Sequence, residues 1–407
     1  KWSNNMWGVE YPKANIADTA NYADTAGYAY VGAPDNDWVL ETSPANYLRT
    51  YGDYGIARKG AVLYGNYAYT HVNLGVACTT GMAGGTIYHC TVGGGKSNTA
   101  SGQYATASGG KDNVASGNYA ALGGGEDNVA SSDHTTVSGG GYNTASSPGA
   151  TVGGGSYNTA SYYFATVGGG EGNIAKGFSA TISGGMYNRV DTSCATVGGG
   201  GYNIAGGAYA TVSGGWSNTA SGYAATVGGG YDNTASDSAA TVSGGYSNTA
   251  SGNHATVGGG ESDTASGDAA TVGGGRYNTA SGSHATVCGG HDNTASGNHA
   301  TVSGGWSNTA SDDYTTVGGG KYNTASGDAA TVGGGESDTA SGDAATVGGG
   351  RYNIASHYYT TVSGGQGNTA SGNHATVSGG WNNTASGYLA TVGGGHGNTA
   401  SNNYATV

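Results

Sequence analysis

From residue 90 onward one fifteen-residue phrase returns without a slip of phase. Counted from the first residue of its A-T-V unit, repeats begin at 90, where Cys90 replaces Ala, then at 105, 120, 135 and onward to 405, which makes 21 full repeats. A constant phase over this length implies that the same environment recurs at each step, as it does in a solenoid. A flexible Gly/Ser linker would have no reason to hold Val and Ala in register. The block ESDTASGDAATVGGGRYN, present at 261 and again at 336, is displaced by five whole repeats, so whole coils are the unit that is copied.

The phrase reads A-T-V-(G/S)-G-G-x-x-N-T-A-S-(G/x)-x-x. It contains two extended pieces, A-T-V and N-T-A-S, separated by a glycine corner and a variable corner. Alternation in an extended chain places Ala150 and Val152 inward and Thr151 outward, with Asn158 and Ala160 on one side of their strand and Thr159 and Ser161 on the other. Glycines at the fifth and sixth places, such as Gly154 and Gly155, allow positive φ at a sharp corner. The ninth place is Asn in 19 of the 21 repeats, with Asp263 and Asp338 the exceptions. Asn98, Asn113, Asn128, Asn143, Asn158, Asn173, Asn188, Asn203, Asn218 and Asn233 therefore open an expected Asn ladder, each residue tolerating positive φ and stacking its amide on the next coil. The predicted fold is all-β, a parallel β-solenoid or β-roll of about 21 coils of 15 residues over 90–407. Stacked at about 4.8 Å per coil, it would extend roughly 100 Å.

Upstream, Ala14, Ala17, Ala20, Ala23, Ala26 and Ala29 recur at every third position. That period drifts around an α-helix and suits an extended three-fold strand. Segment 1–35 is therefore expected to be an extended arm, with an Ala-rich helix or a flexible arm as the alternatives. Residues 36–89, rich in aromatic and β-branched residues broken by Gly, are expected to form a small β cap that covers the first coil. The chain stops at Ala405-Thr406-Val407, three residues into a repeat, which predicts a further segment or a second subunit docked there.

The pairing of Ala270-Thr271-Val272-Gly273-Gly274 with Asn278-Thr279-Ala280-Ser281-Gly282 resembles the head repeats of trimeric autotransporter adhesins. The resemblance covers 90–407 and implies a left-handed parallel β-roll, a homotrimer, and an adhesive role at the cell surface. The period here is one residue longer than is usual in that family, and no coiled-coil stalk or membrane anchor is visible in the sequence. Similar repeats also occur in surface and tail-fibre-like proteins with a self-cleaving C-terminal chaperone.

Charge narrows the partners. A net charge of −13 with only 12 Lys and Arg leaves no basic stripe for nucleic acid. No run approaches the ~20 apolar residues of a membrane span, and KWSNNMWGVEYPK lacks a signal-peptide core. Cys78 and Cys90 flank CTTGMAGGTIYHC, a loop short enough to close as a disulfide in an oxidising compartment, or to carry two reduced thiols. Cys194 and Cys288 lie too many coils apart to pair.

No catalytic or cofactor motif recurs. Histidine occupies the fifteenth place six times, at His89, His134, His254, His284, His299 and His374, and only His284 and His299 are on consecutive coils; without further ligands these are expected to be turn residues and not a metal site. The GGGxxN corner lacks the strand, helix and Lys of a phosphate loop, and near-identical coils leave no unique pocket for an enzyme. The variable corners carry Tyr157, Tyr162, Tyr163, Trp216, Tyr231, Trp306, Tyr352 and Trp381, either as an adhesive surface for glycans or host and matrix proteins or as stacks that stiffen the corners. Files of Thr and Ser along N-T-A-S and of Thr along A-T-V add a third reading, an ice-binding face. The expected protein is an extracellular structural fibre or adhesin shaft, without cofactor, that associates with itself as a homotrimer or an end-to-end filament.

Overall fold

A computed structural model describes residues 2–4, 10–12, 56–57, 62–63, 72–81 and 89–407. The chain divides into two units, Lys1–Phe164 and Ala165–Val407. The described residues contain no helix; both units are parallel β-solenoids, together about 21 coils of the repeat.

Each coil contributes two strands of two residues. In the first unit Thr136–Val137 pairs with Ala121–Leu122 and Thr151–Val152, while Thr144–Ala145 pairs with Val129–Ala130 and Thr159–Ala160. The second unit repeats the scheme. Thr271 pairs with Thr286 on one ladder and Thr279 with Thr294 on the other, so each residue meets its own copy one repeat later. The seventh place adds a third, single-residue bridge, as from Trp216 to Tyr231 and on to Tyr246.

The ladders reach upstream of the regular repeat. Ile56–Ala57 pairs with Val72–Asn73 and that strand with Thr91–Val92; Val62–Leu63 pairs with Thr79–Thr80 and that strand with Thr99–Ala100. Trp2–Asn4 pairs antiparallel with Glu10–Pro12. The Ala-every-third segment 14–29 and most of the expected cap lie outside the described residues.

The core is thin and closed within one chain. Ala at the first and eleventh places and Val at the third are wholly buried, for example Ala150, Val152 and Ala160, whereas Thr151 and Thr159 are half-exposed on the outer faces. Small side chains let the two ladders approach closely, and continuous backbone bonding accompanies the modest apolar burial. Thr271 N–H donates to Ala285 O at 2.8 Å and Gly273 N–H to Val287 O at 2.8 Å on one ladder, while Thr279 N–H donates to Asn293 O at 2.8 Å on the other.

The ninth-place Asn joins this core in a way that corrects the sequence expectation. Its side chain points inward, fully buried, and the positive φ falls one residue earlier, at the eighth place, as in Asp112, Ser217 and Tyr277. Asn113 shows the pattern: its N–H donates to Asn98 Oδ1 at 3.0 Å, and its Nδ2 donates to Gly109 O of its own coil at 3.0 Å and to Gly125 O of the next at 2.8 Å. Its Oδ1 in turn accepts the Asn128 N–H at 3.0 Å, so one side-chain amide bonds three backbone groups at the glycine corner. Asn128, Asn143, Asn188, Asn203, Asn218 and Asn233 each accept or donate the same bonds within their own units.

The sixth-place glycine completes the hub. Gly140 has φ 89°, and a Cβ there would overlap Gly155 O and lie 2.7 Å from Asn143 Nδ2. Only glycine fits both the backbone angle and the space.

Candidate interaction surface at the coil corners

Two corners project side chains outward. At the first, the seventh-place N–H donates forward to the next coil, as Trp306 N–H does to Gly320 O at 2.9 Å, but the eighth-place N–H donates backward, as Tyr352 N–H does to Glu336 O at 3.0 Å. Positive φ at the eighth place, 56° in Tyr352, turns the peptide through this reversal. The second corner repeats the device at the fifteenth place. Tyr119, at φ 57°, donates backward to Gln103 O at 2.7 Å, and Ala105 N–H closes the turn on Gly102 O at 3.0 Å.

The eight aromatic residues singled out in the sequence are all exposed, between 41% for Trp216 and 58% for Tyr157, but they are divided between the two corners. Tyr157 in the first unit and Trp216, Tyr231, Trp306, Tyr352 and Trp381 in the second stand at the seventh or eighth place. Tyr162 and Tyr163 stand on the other corner, edge to face with centroids 5.6 Å apart.

Ring geometry shows how these side chains are used. Tyr142 and Tyr157 stack at 4.9 Å and 4°, and Tyr231 and Tyr246 at 5.3 Å and 8°. Trp216 leans on Tyr202 at 4.9 Å, Trp306 on His291 at 5.1 Å, and Trp381 on His396 at 4.5 Å. The Arg351 guanidinium lies 4.8 Å over the Tyr352 ring. A sugar docks its C–H bonds against an aromatic face; the Tyr142–Tyr157 and Tyr231–Tyr246 faces are turned to one another, whereas Trp216, Trp306 and Trp381 meet their neighbours tilted or edge-on, at 56°, 45° and 65°.

The fifteenth place carries a second file that sequence reasoning treated only as scattered turn histidines. Tyr104, Tyr119 and His134 stack in succession at 4.9 and 4.8 Å, and His284, His299 and Tyr314 at 5.0 and 5.0 Å. His284 and His299 lie parallel, 5° apart, as stacked rings and not as converging ligands. Among the described residues no group of three or more His, Cys, Asp or Glu side chains is arranged to hold a metal ion. The recurrence of Tyr and His in one phase was the available signal for this file.

Charged residues bridge successive coils on the first corner. Lys111 meets Glu126 at 2.6 Å, Arg276 meets Glu261 at 3.1 Å, and Arg351 meets Glu336 at 3.2 Å. The hydrogen bond that Lys111 Nζ donates to the Glu126 carboxylate holds the ammonium above its usual range, and the Tyr277 hydroxyl, then Glu261, does the same for Arg276. These pairs are exposed and add little to stability.

The expected Cys78–Cys90 disulfide is not formed. The two cysteines occupy different columns of the coil. Cys78 precedes Thr79, which pairs with Thr99, so it stands on the Asn column, and its Sγ accepts Asn98 N–H at 3.2 Å in place of an Asn oxygen. Cys90 stands on the Ala column, buried, with its Sγ donating to Gly102 O at 3.0 Å. Burial pushes the Cys90 thiol above its ordinary range.

No family model and no curated protein sequence matches this chain. Among the described residues no helix is long and apolar enough to cross a membrane.

Proposed function

We propose that the chain is an extracellular structural fibre or adhesin shaft, non-enzymatic, that associates with further copies of itself. The observation that carries this reading is the use of the recurring corner rings, which stack coil on coil as in Tyr104, Tyr119 and His134, so the most conspicuous outward side chains go to holding the repeat together. The resemblance to adhesin head repeats supports an extracellular homotrimer. Because Ala, Val and Asn are buried within a single chain, association would use the Thr- and Ser-bearing outer faces, the corners or the chain ends.

Electron microscopy of the full chain, paired with its mass in solution, tests the reading. Discrete particles at three times the chain mass support a trimer, and filaments with an axial repeat of one chain support a fibre subunit. A monomer at every concentration, with no assembly on grids, would sink both.

Glycan capture is the second reading, favoured by the exposure of Trp306 and Trp381, 50% and 52%. It predicts saturable binding on a glycan array that disappears in Trp306→Ala/Trp381→Ala while the solution mass is unchanged.

A further inference from the structure

Two coils break the rule of the Asn column. In the coil before the first break, Asn248 Nδ2 donates to Gly244 O and Gly260 O, both at 2.9 Å, and its Oδ1 accepts the Asp263 N–H at 2.9 Å. Asp263 passes on half of this pattern. Its Oδ1 accepts the Asn278 N–H at 2.7 Å and Asn278 Nδ2 at 3.1 Å. Its Oδ2 takes the position of the amide nitrogen and has no partner. Asp338 is the same: Oδ1 accepts the Asn353 N–H at 2.8 Å, and Oδ2 is unpartnered. Both residues are completely buried.

In an Asn coil the amide nitrogen gives hydrogens to two glycine carbonyls, at the fifth place of its own coil and the sixth place of the next. For Asp263 these are Gly259 and Gly275, and for Asp338 they are Gly334 and Gly350. A carboxylate there turns a bare oxygen, itself shielded from solvent, toward carbonyl oxygens, which is doubly unfavourable.

We propose that Asp263 and Asp338 are proton-binding sites: in the folded coil each takes one proton from solvent on Oδ2 and donates it to one of the two facing glycine carbonyls, so that a carboxylic acid replaces one of the two hydrogen bonds of the carboxamide, and loss of that proton loosens the coil. The step is a protonation only, carboxylate plus proton giving the acid, with no co-reactant. A metal ion suits the hub poorly. A calcium ion takes ~6–8 oxygens, and the hub presents one carboxyl and glycine carbonyls in a space already closed to a Cβ at Gly260.

The surrounding charges leave the acid uncompensated. Around Asp263 the titratable and charged groups on the same corner are Glu261 of its own coil, Tyr246 of the preceding one, and Arg276 and Tyr277 of the following one; the neighbouring Thr256–Val257 and Thr271–Val272 strands carry none. Arg276 is engaged by Glu261. Around Asp338 they are Glu336, then Lys321 and Tyr322, then Arg351 and Tyr352, with Arg351 engaged by Glu336 and Lys321 seated over the Trp306 and Tyr322 rings. Burial accordingly raises both carboxyls above the usual carboxylate range, against the lowering effect of the Asn278 and Asn353 bonds.

The sign follows from linkage. A carboxyl whose folded pKa is raised contributes stability that is complete below its unfolded value, about 3.9, and is lost as pH rises through the folded value. Acid tightens these two coils and alkali loosens them.

Hydrogen exchange of the full chain, read by mass spectrometry over 259–278 and 334–353 and corrected for intrinsic rate, tests this against Asp263→Asn/Asp338→Asn. The wild-type protection factor is expected to fall by up to about ten-fold per pH unit, the slope for one proton per coil, across the window between the unfolded and folded pKa values, while the Asn variant stays flat. Asn308→Asp is expected to install the same dependence in a third coil. An infrared carboxylic-acid band that persists above the range where exposed carboxyls titrate, and vanishes in the double Asn variant, would agree. Identical pH profiles in wild type and double Asn variant would overturn the proposal. So would recovery of protection at high pH on adding calcium or sodium alone, which would make a metal the occupant.

Discussion

The backbone N–H of Asn233 donates to Oδ1 of Asn218, one repeat earlier, at 3.0 Å. An extended strand would leave that N–H directed at the preceding coil with no ladder partner, so a side chain from that coil supplies the acceptor. The column is therefore part of the backbone bonding and not an ornament on it.

Replacing Asn218 by Ala strands the Asn233 N–H and removes the side-chain donor to Gly214 O and one of two donors to Gly230 O, which keeps the Trp216 N–H. Each buried group left unsatisfied costs about 1–3 kcal/mol. Asn218→Ala should destabilise the second unit by ~3 kcal/mol or more, seen as a lower denaturant midpoint and faster hydrogen exchange centred on 211–240.

Adjacent glycines should respond in opposite ways. Gly215 has φ 87° and a Cβ there would overlap Gly230 O, whereas a Cβ on Gly214 meets nothing within 4 Å. Gly215→Ala is expected to cost upward of about 1 kcal/mol, and Gly214→Ala to fall within about ±0.5 kcal/mol. Paired urea melts decide the matter; equal effects would mean that corner geometry is not limiting.

Removing the middle ring of a file should cost two stacks. Tyr119 lies between Tyr104 and His134 at 4.9 and 4.8 Å. At ~0.5–1.5 kcal/mol per aromatic pair, Tyr119→Ala should lower stability by about 1–3 kcal/mol and weaken the near-ultraviolet dichroism of the coupled tyrosines. Unchanged spectra would mean that the rings do not stack in solution.

Left-handed alanines offer a test of the reversed peptide. Ala329, at φ 55°, holds a conformation costly for any residue with a Cβ and worst for a branched one. Ala329→Gly should be neutral or slightly stabilising, and Ala329→Val destabilising by more than about 1 kcal/mol. Thermal melts of the pair give the answer.

Much of the coil was legible in the sequence, because burial follows alternation. Ala150, Val152, Asn158 and Ala160 are buried and Thr151 is not, as a two-residue period requires. Positive φ at the sixth-place glycine was legible for the same kind of reason, since Gly is the residue that adopts it without strain. The left-handed eighth place was not, because Ser217, Asp232, Tyr277 and Asn382 share the angle but no side-chain property that announces it. The direction in which a backbone N–H points leaves no mark on residue choice. Cys78 was misread because the steps before residue 90 are uneven, so its place on the Asn column could not be counted back from the regular phase. The aromatic residues were legible as exposed, but stacking depends on ring orientation, which spacing does not contain.

The strand ladders of the second unit join each place to the adjoining place one repeat away, as Thr226 N–H to Ala240 O and Gly228 N–H to Val242 O. Remove 240–254 and Thr226, whose N–H donates to Ala240 O, meets Ala255 at the same place with the same carbonyl. Any fifteen-residue excision or insertion inside the run thus rebuilds interfaces that already exist elsewhere in it. Length becomes a setting that recombination can adjust in whole steps, and selection on reach can act without first inventing a new contact.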